Sequence, residues 1–507
     1  MSYKEKGRSE RNKQMETISQ IPQEIYLEII SHLNLGPEGA DDMAKLEPNL
    51  STLRNRTIRS MALVCRDFYC HIFHMLFEDI HIYRMLLTVM PGPRNSGRFC
   101  RNIVDGDESA RALALHVKKL AITDFDMGAE RNIWTRNDAR SPIPSVLGYM
   151  SNLVTLDLCR TSITDELLQS FALLPPLKVL RLENCGVPKL LDEALLARFS
   201  THQVSRVFVA DVADPMDSLI NRPKELFLQR LCLSHTESLT SHRQIHCHFL
   251  SSLALLPPLN NLYSLHFDCL IIDDDHPNIL SDILAPMPAL KLFRVDEVEY
   301  RIVGFKDCMN LPSKPKHLKA IHAPLSTVEA LVPGRPVSTI GISTEIFSRV
   351  SPDPYPSDVA FWNNCAAVFK RSQCPIISLD VPSAFYTRVC FAKHFPDLRH
   401  LKIRHGHWNW HRWEDEEELT ANAFWEFPGE IIELYLFKWD KHPKLIDLEI
   451  IQDGRGIPYD ACFLPVAPET ISYLKEKIPT LQWLIFVCDG LLEKSKKIFL
   501  GGNSAGT

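Results

Sequence analysis

The residues of this chain best suited to chemistry gather in two short stretches. His242, His246 and His248 surround Cys247, and imidazole with thiolate is a zinc-type donor set. A step of four would put His242 and His246 on one helical face, but no second ligand pair follows, so a partly exposed polar helix is the competing reading. The second stretch sets His405, His407 and His411 among Trp408, Trp410 and Trp413. Aromatic residues clustered in a loop commonly serve contact with a partner, so this stretch reads as a contact or packing loop before it reads as a metal site. The acidic run from Glu414 to Glu418 beside it reads as a solvated face. No Gly-rich phosphate loop, G-x-S-x-G elbow or H-E-x-x-H helix occurs. The pattern therefore supports no catalytic residue, no cofactor and no metal, and points toward binding.

Composition narrows the class of partner. The chain has 507 residues, 45% apolar and 23% charged, which is ordinary for a soluble protein and too long for one common core. A net charge of −6 without a strongly basic block disfavours nucleic acid and anionic membrane, leaving proteins as the expected partners. Residues 1–17 lack the apolar core of a signal peptide, and no long uncharged apolar run follows, so a cytoplasmic or nuclear location is expected. The 14 cysteines stand singly with no Cys-x-x-Cys pair and read as reduced core thiols.

What must position a binding surface is a rhythm of the form L-x-x-L-x-L. It begins at Val117-Leu120-Ile122 and returns at Leu153-Leu156-Leu158 and at Leu177-Leu180-Leu182, which ends in Cys185. Further copies are Val204-Val207-Val209, Leu228-Leu231-Leu233, Leu262-Leu265-Phe267, Leu290-Phe293-Val295, Leu318-Ile321-Ala323, Leu398-Leu401-Ile403, Ile431-Leu434-Leu436 and Leu481-Leu484-Phe486. The string ALLPPL enters two of these units, at 172–177 and 254–259. Helix-like segments such as TDELLQSFALL lie between them. Each short strand cannot bury its apolar side alone, but stacked units form a parallel sheet over a shared core. The units resemble leucine-rich repeats, with irregular spacing and long loops. The expected fold is α/β, with residues 111–490 forming a solenoid with a curved parallel sheet, and 491–507 a tail.

Ahead of the repeats, SQIPQEIYLEIISHL reads as an amphipathic helix opened by Pro22, with Ile25, Ile29 and Leu33 on one stripe. A second helical stretch carries Leu63-Val64-Cys65-Arg66-Asp67-Phe68. The ordered pair, Ile-Pro-x-Glu-Ile and then Val-Cys-Arg, resembles the F-box, with the segment from Asn34 to Ser51 longer than the turn that family uses. Residues 18–83 would then be a small helical F-box module with a loop at 34–51, after a disordered tail at 1–17. The resemblance implies docking to a Skp-type adaptor, and through it to a cullin, by Ile21, Pro22, Ile25, Ile29, Leu33, Val64, Cys65 and Phe68. Residues 84–110 read as a linker, because PGPRNSGRFCRNIVDGDESA shows no sustained period.

An F-box followed by leucine-rich repeats implies the substrate-recognition subunit of a ubiquitin ligase, itself without catalysis. The alternative is a leucine-rich-repeat scaffold acting independently of ubiquitin. In either case the leucines face inward and alternate residues point out. The target surface is expected on the outward positions of the later strands, His400, Lys402, Arg404, Tyr435, Phe437 and Trp483. Lys402 and Arg404 would suit an acidic or phosphorylated target.

Overall fold

A computed structural model describes residues 72–83, 94–123, 143–161, 163, 165–171, 173–174, 176–183, 185, 204–210, 236–246, 259–272, 279–300, 315–347, 359–405, 444–453, 468–489 and 494–500, besides 57, 60, 63 and 69. The chain divides into two compact units, Met1–Val204 and Ser205–Thr507. No helix among the described residues is long and apolar enough to cross a membrane.

Among the described residues, the first unit carries four parallel strands in sequence order, β1 (Asp79–Tyr83), β2 (Lys119–Thr123), β3 (Thr155–Cys159) and β4 (Val179–Glu183). Their apolar positions form three buried rows, Val117–Leu153–Leu177, Leu120–Leu156–Leu180 and Ile122–Leu158–Leu182. Cys185 Sγ donates to the carbonyl of Leu158 at 3.3 Å, and Thr161 Oγ1, at the same place one unit earlier, donates to the carbonyl of Ile122 at 3.2 Å. Each ties the chain leaving one strand to the strand before it.

The second unit carries β5 (Arg206–Ala210), β6 (Ser238–His246), β7 (Ser264–Ile272), β8 (Leu292–Tyr300), β9 (Ala320–Ala323), β10 (Thr339–Ile342), β11 (Thr344–Phe347), β12 (Ser378–Pro382), β13 (His400–His405), β14 (Asp447–Asp453), β15 (Trp483–Asp489) and β16 (Lys494–Phe499). They pair in sequence order, except that β11 leaves the path to lengthen the ladder on β8. All the pairings are parallel but the last, β15 with β16. Three rows are again buried, running through Leu262, Leu290, Leu318, Val337, Ile376, Leu398, Leu445 and Leu481 in the first of them. The helices Leu325–Leu331 and Ser383–Arg388 pack behind the sheet, on β9–β10 and β12–β13. Trp362, Phe369, Phe385 and Phe391 interlock in that layer, with Trp362 and Phe385 edge to face at 5.4 Å between centroids.

A hydrogen-bond device repeats in both units. Two successive amides entering a strand donate to one carbonyl of the unit before: Lys118 and Lys119 to Glu78, Val154 and Thr155 to Lys118, and, in the second unit, Lys291 and Leu292 to Tyr263, Lys319 and Ala320 to Lys291, Gln482 and Trp483 to Ile446. Recurrence of this bond with the buried rows makes each unit a stack of the leucine-rich-repeat type.

Four expectations change. The linker reading of 84–110 fails at Arg94–Val104 and Glu108–Ala114, which are helices. Gly106, at φ 92°, ends the first, and the Asp107 side chain caps the second by accepting from the amides of Ser109 and Ala110. The tail at 491–507 contains β16, which pairs with β15. The stretch 18–83 ends not in helix but in β1, whose Ile80 and Ile82 are buried in the sheet. His242 and His246 lie on strand β6, not on the helix expected for them.

Candidate interaction surface

The side of the sheet turned away from the buried rows is here called the open face. In the second unit its middle row runs in register as His266, Arg294, His322, Gly341, Asp380, Lys402 and Glu449, one residue on each of β7, β8, β9, β10, β12, β13 and β14. The row below it, toward the strand starts, is Leu292, Ala320, Thr339, Ser378, His400 and Asp447. Small residues in its centre leave a recess of about 370 Å³, lined at its ends by Leu292 and Arg294 and by Lys402, Asp447 and Glu449.

The open face is laid with matched charge. Arg404 grips both oxygens of Asp380 at 2.8 Å each and donates from the same guanidinium to His322 Nε2 at 2.6 Å. A guanidinium can only donate, so His322 is neutral and carries its proton on Nδ1, which faces Asp380 Oδ2 at 3.8 Å. Burial, and after it the Arg404 charge, pulls His322 down to about 3. Burial alone would raise Asp380, but the Arg404 charge and the hydrogen bonds from its guanidinium hold the carboxyl below the usual range. Gly341 makes the crossing possible. A Cβ there would stand 2.6 Å from His322 Nδ1, so only a glycine on β10 lets the ring lie across that strand toward Arg404.

On β7 and β8, Arg294 holds Asp296 through Nε at 2.5 Å and a terminal nitrogen at 3.0 Å, and His266 Nε2 reaches the same carboxylate at 3.1 Å. Burial opposes its ionisation, but the hydrogen bonds from His266 and Arg294 prevail and keep Asp296 well below the ordinary carboxylate range. Farther along, His400 meets Asp447 at 2.7 Å and Lys402 meets Glu449 at 3.3 Å.

The structure thus places His400, Lys402 and Arg404 on the open face of β13, and Trp483, half-buried, at the start of β15. It corrects the expected basic surface: Lys402 and Arg404 each face a carboxylate, and Arg404 is only 11% exposed, so neither is a ready anchor for an acidic or phosphorylated group. Tyr435 and Phe437, the Trp408–Trp413 cluster, and the copies at Leu228-Leu231-Leu233 and Ile431-Leu434-Leu436 lie outside the described residues. So do Ile21, Pro22, Ile25, Ile29, Leu33, Val64, Cys65 and Phe68. His322, Asp380, Arg294 and Asp296 were missed, because their partners are set by register between strands far apart in sequence. An isolated glycine in a strand pattern, Gly341, was the available signal of a close approach.

No known family's profile matches the chain, and no curated protein does. Among solved structures, an internalin (inlF) from Listeria monocytogenes matches with 13% identity and a TM-score of 0.29, over 70% of this chain and 87% of that one. A superposition that loose bears on neither fold nor function. The leucine-rich-repeat description rests on the strand register, the buried rows and the repeated amide pairs.

Proposed function

We propose that this chain binds a target protein through the open face of its second unit and serves as the substrate-recognition subunit of a Skp/cullin/F-box ubiquitin ligase. The observation that carries the binding half is the in-register charged row around the recess, a broad, pre-set surface of the sort that repeat sheets offer to partners. The ligase half is supported by the paired Ile21-Pro22 and Val64-Cys65-Arg66 segments and their resemblance to the F-box. The chain itself does no chemistry in this reading. One end holds the adaptor and cullin, the other holds the target, and a target lysine meets the charged conjugating enzyme at raised effective concentration.

Purification of the tagged chain from cells, followed by mass spectrometry, tests both halves. Recovery of a Skp-type adaptor and a cullin is expected, and its loss in Ile25→Asp with Ile29→Asp, since two carboxylates would be buried where aliphatic groups dock. Leu292→Ala with Lys402→Glu should keep the adaptor and lose the target. If neither adaptor nor cullin is recovered with the unaltered chain, the ligase reading is wrong and the ubiquitin-independent scaffold takes its place.

A further inference from the structure

Two carboxylates converge on one imidazole nitrogen at the junction of β7 and β8. Asp268 and Asp296 stand between the register pairs Phe267–Val295 and Cys269–Glu297, and so side by side on the open face. Like charges placed directly across neighbouring strands repel each other, and the Arg294 guanidinium on Asp296 offsets one of the two. His266, two residues before Asp268 on the same strand, turns Nε2 toward both: 3.1 Å to Asp296 Oδ2 and 3.3 Å to Asp268 Oδ1.

We infer that His266, Asp268 and Asp296 form a zinc-type divalent cation site. The three ligand atoms lie within 4.8 Å of one another. Around a tetrahedral ion with ligands at about 2.0–2.1 Å, neighbouring ligand atoms stand roughly 3.3 Å apart, which matches both distances from Nε2. One imidazole nitrogen with two carboxylate oxygens favours zinc over magnesium or calcium, which prefer all-oxygen cages. Arg294, on both oxygens of Asp296, then acts as the outer partner that orients a ligating carboxylate. Asp268 and Asp296 are about a third exposed, so water or a partner's group can complete the coordination. Binding takes the lone pair of Nε2, so in the loaded site the ring proton stands on Nδ1. Two carboxylates and one guanidinium sum to −1, and a divalent ion on a neutral imidazole ligand turns the cluster to +1, reversing the charge that this end of the open face shows to a partner.

The test is titration of chelator-stripped full-length chain with zinc chloride, followed by calorimetry and by metal content after desalting. His266→Gln and Asp268→Asn should each lose one equivalent, or weaken it at least tenfold, whereas His400→Gln, on the same face but outside the cluster, should keep it. The His400 control separates this site from the chain's other histidines and its cysteines. Asp268→Asn changes a partly exposed, isosteric group, so it still answers if His266→Gln does not fold. Unchanged stoichiometry and affinity in a folded Asp268→Asn chain would overturn the site. Magnesium chloride competing as tightly as zinc would overturn its zinc-type chemistry.

Discussion

The open faces of the two units share a leucine pitch and differ in what they carry. In the first unit the middle row is His81, Ala121, Asp157 and Arg181, with Lys119 and Arg181 reaching Asp157 at 3.5 and 3.4 Å. In the second, Arg404, Asp380 and His322 close at 2.6–2.8 Å, and Arg294, Asp296 and His266 at 2.5–3.1 Å. One stacking rule thus supports two kinds of surface. Packing fixes the inward rows, while the outward rows are free to differ: the second unit carries the two guanidinium–carboxylate pairs held through both oxygens, Arg404–Asp380 and Arg294–Asp296.

The largest contrast expected is between Asp380→Ala and Asp157→Ala. The first leaves the sheltered Arg404 without its carboxylate and should destabilise the second unit by about 3–5 kcal/mol. The second loosens longer contacts and should cost under about 1 kcal/mol. Urea unfolding with hydrogen exchange assigned to each unit measures both; equal costs would erase the distinction.

Gly341→Ala comes next. The new methyl would displace the His322 ring and break its bond from Arg404, at a cost of about 1–3 kcal/mol, without removing either charge. Exchange protection should fall on β9, β10 and β12 while β1–β4 are unaffected.

A third effect, on pH dependence, is absent at neutral pH and grows only in acid. His322 is held at about 3 in the folded chain against about 6.5 when unfolded, so between those values the unfolded state binds the extra proton. Its contribution is full above pH 6.5 and declines as pH falls, by up to about 1.4 kcal/mol per pH unit. His322→Gln should flatten that part of the second unit's stability profile between pH 6 and 4. An unchanged slope would place the proton uptake elsewhere.

The repeats were legible because burial leaves a mark on composition: leucine, isoleucine and valine recur wherever three rows must be apolar. The pattern was thinnest at β6, where Thr236, Leu239 and Ser241 occupy the buried rows and two of the three are polar. Val337-Ile340-Ile342, Ile376-Leu379-Val381 and Leu445-Leu448-Ile450 carry the same rhythm and mark β10, β12 and β14, strands beyond those expected. The helices at 94–114 hid among Pro, Gly and charge, though Gly106 and Asp107 are stop and start signals. The surface was half legible. Alternation fixed the side on which His400, Lys402 and Arg404 stand, but Arg404 meets His322 across 82 residues, a pairing that only register supplies.

Site-specific photo-crosslinking in cells tests most directly whether the second unit's open face is the binding surface. A photoreactive phenylalanine replaces Leu292, at the edge of the recess and 38% exposed, or Leu173, 76% exposed in the first unit. The expected result is one discrete protein adduct from position 292, absent from position 173 and lost when Lys402→Glu is added. The same adduct in equal yield from position 173, or its persistence beside Lys402→Glu, would contradict it.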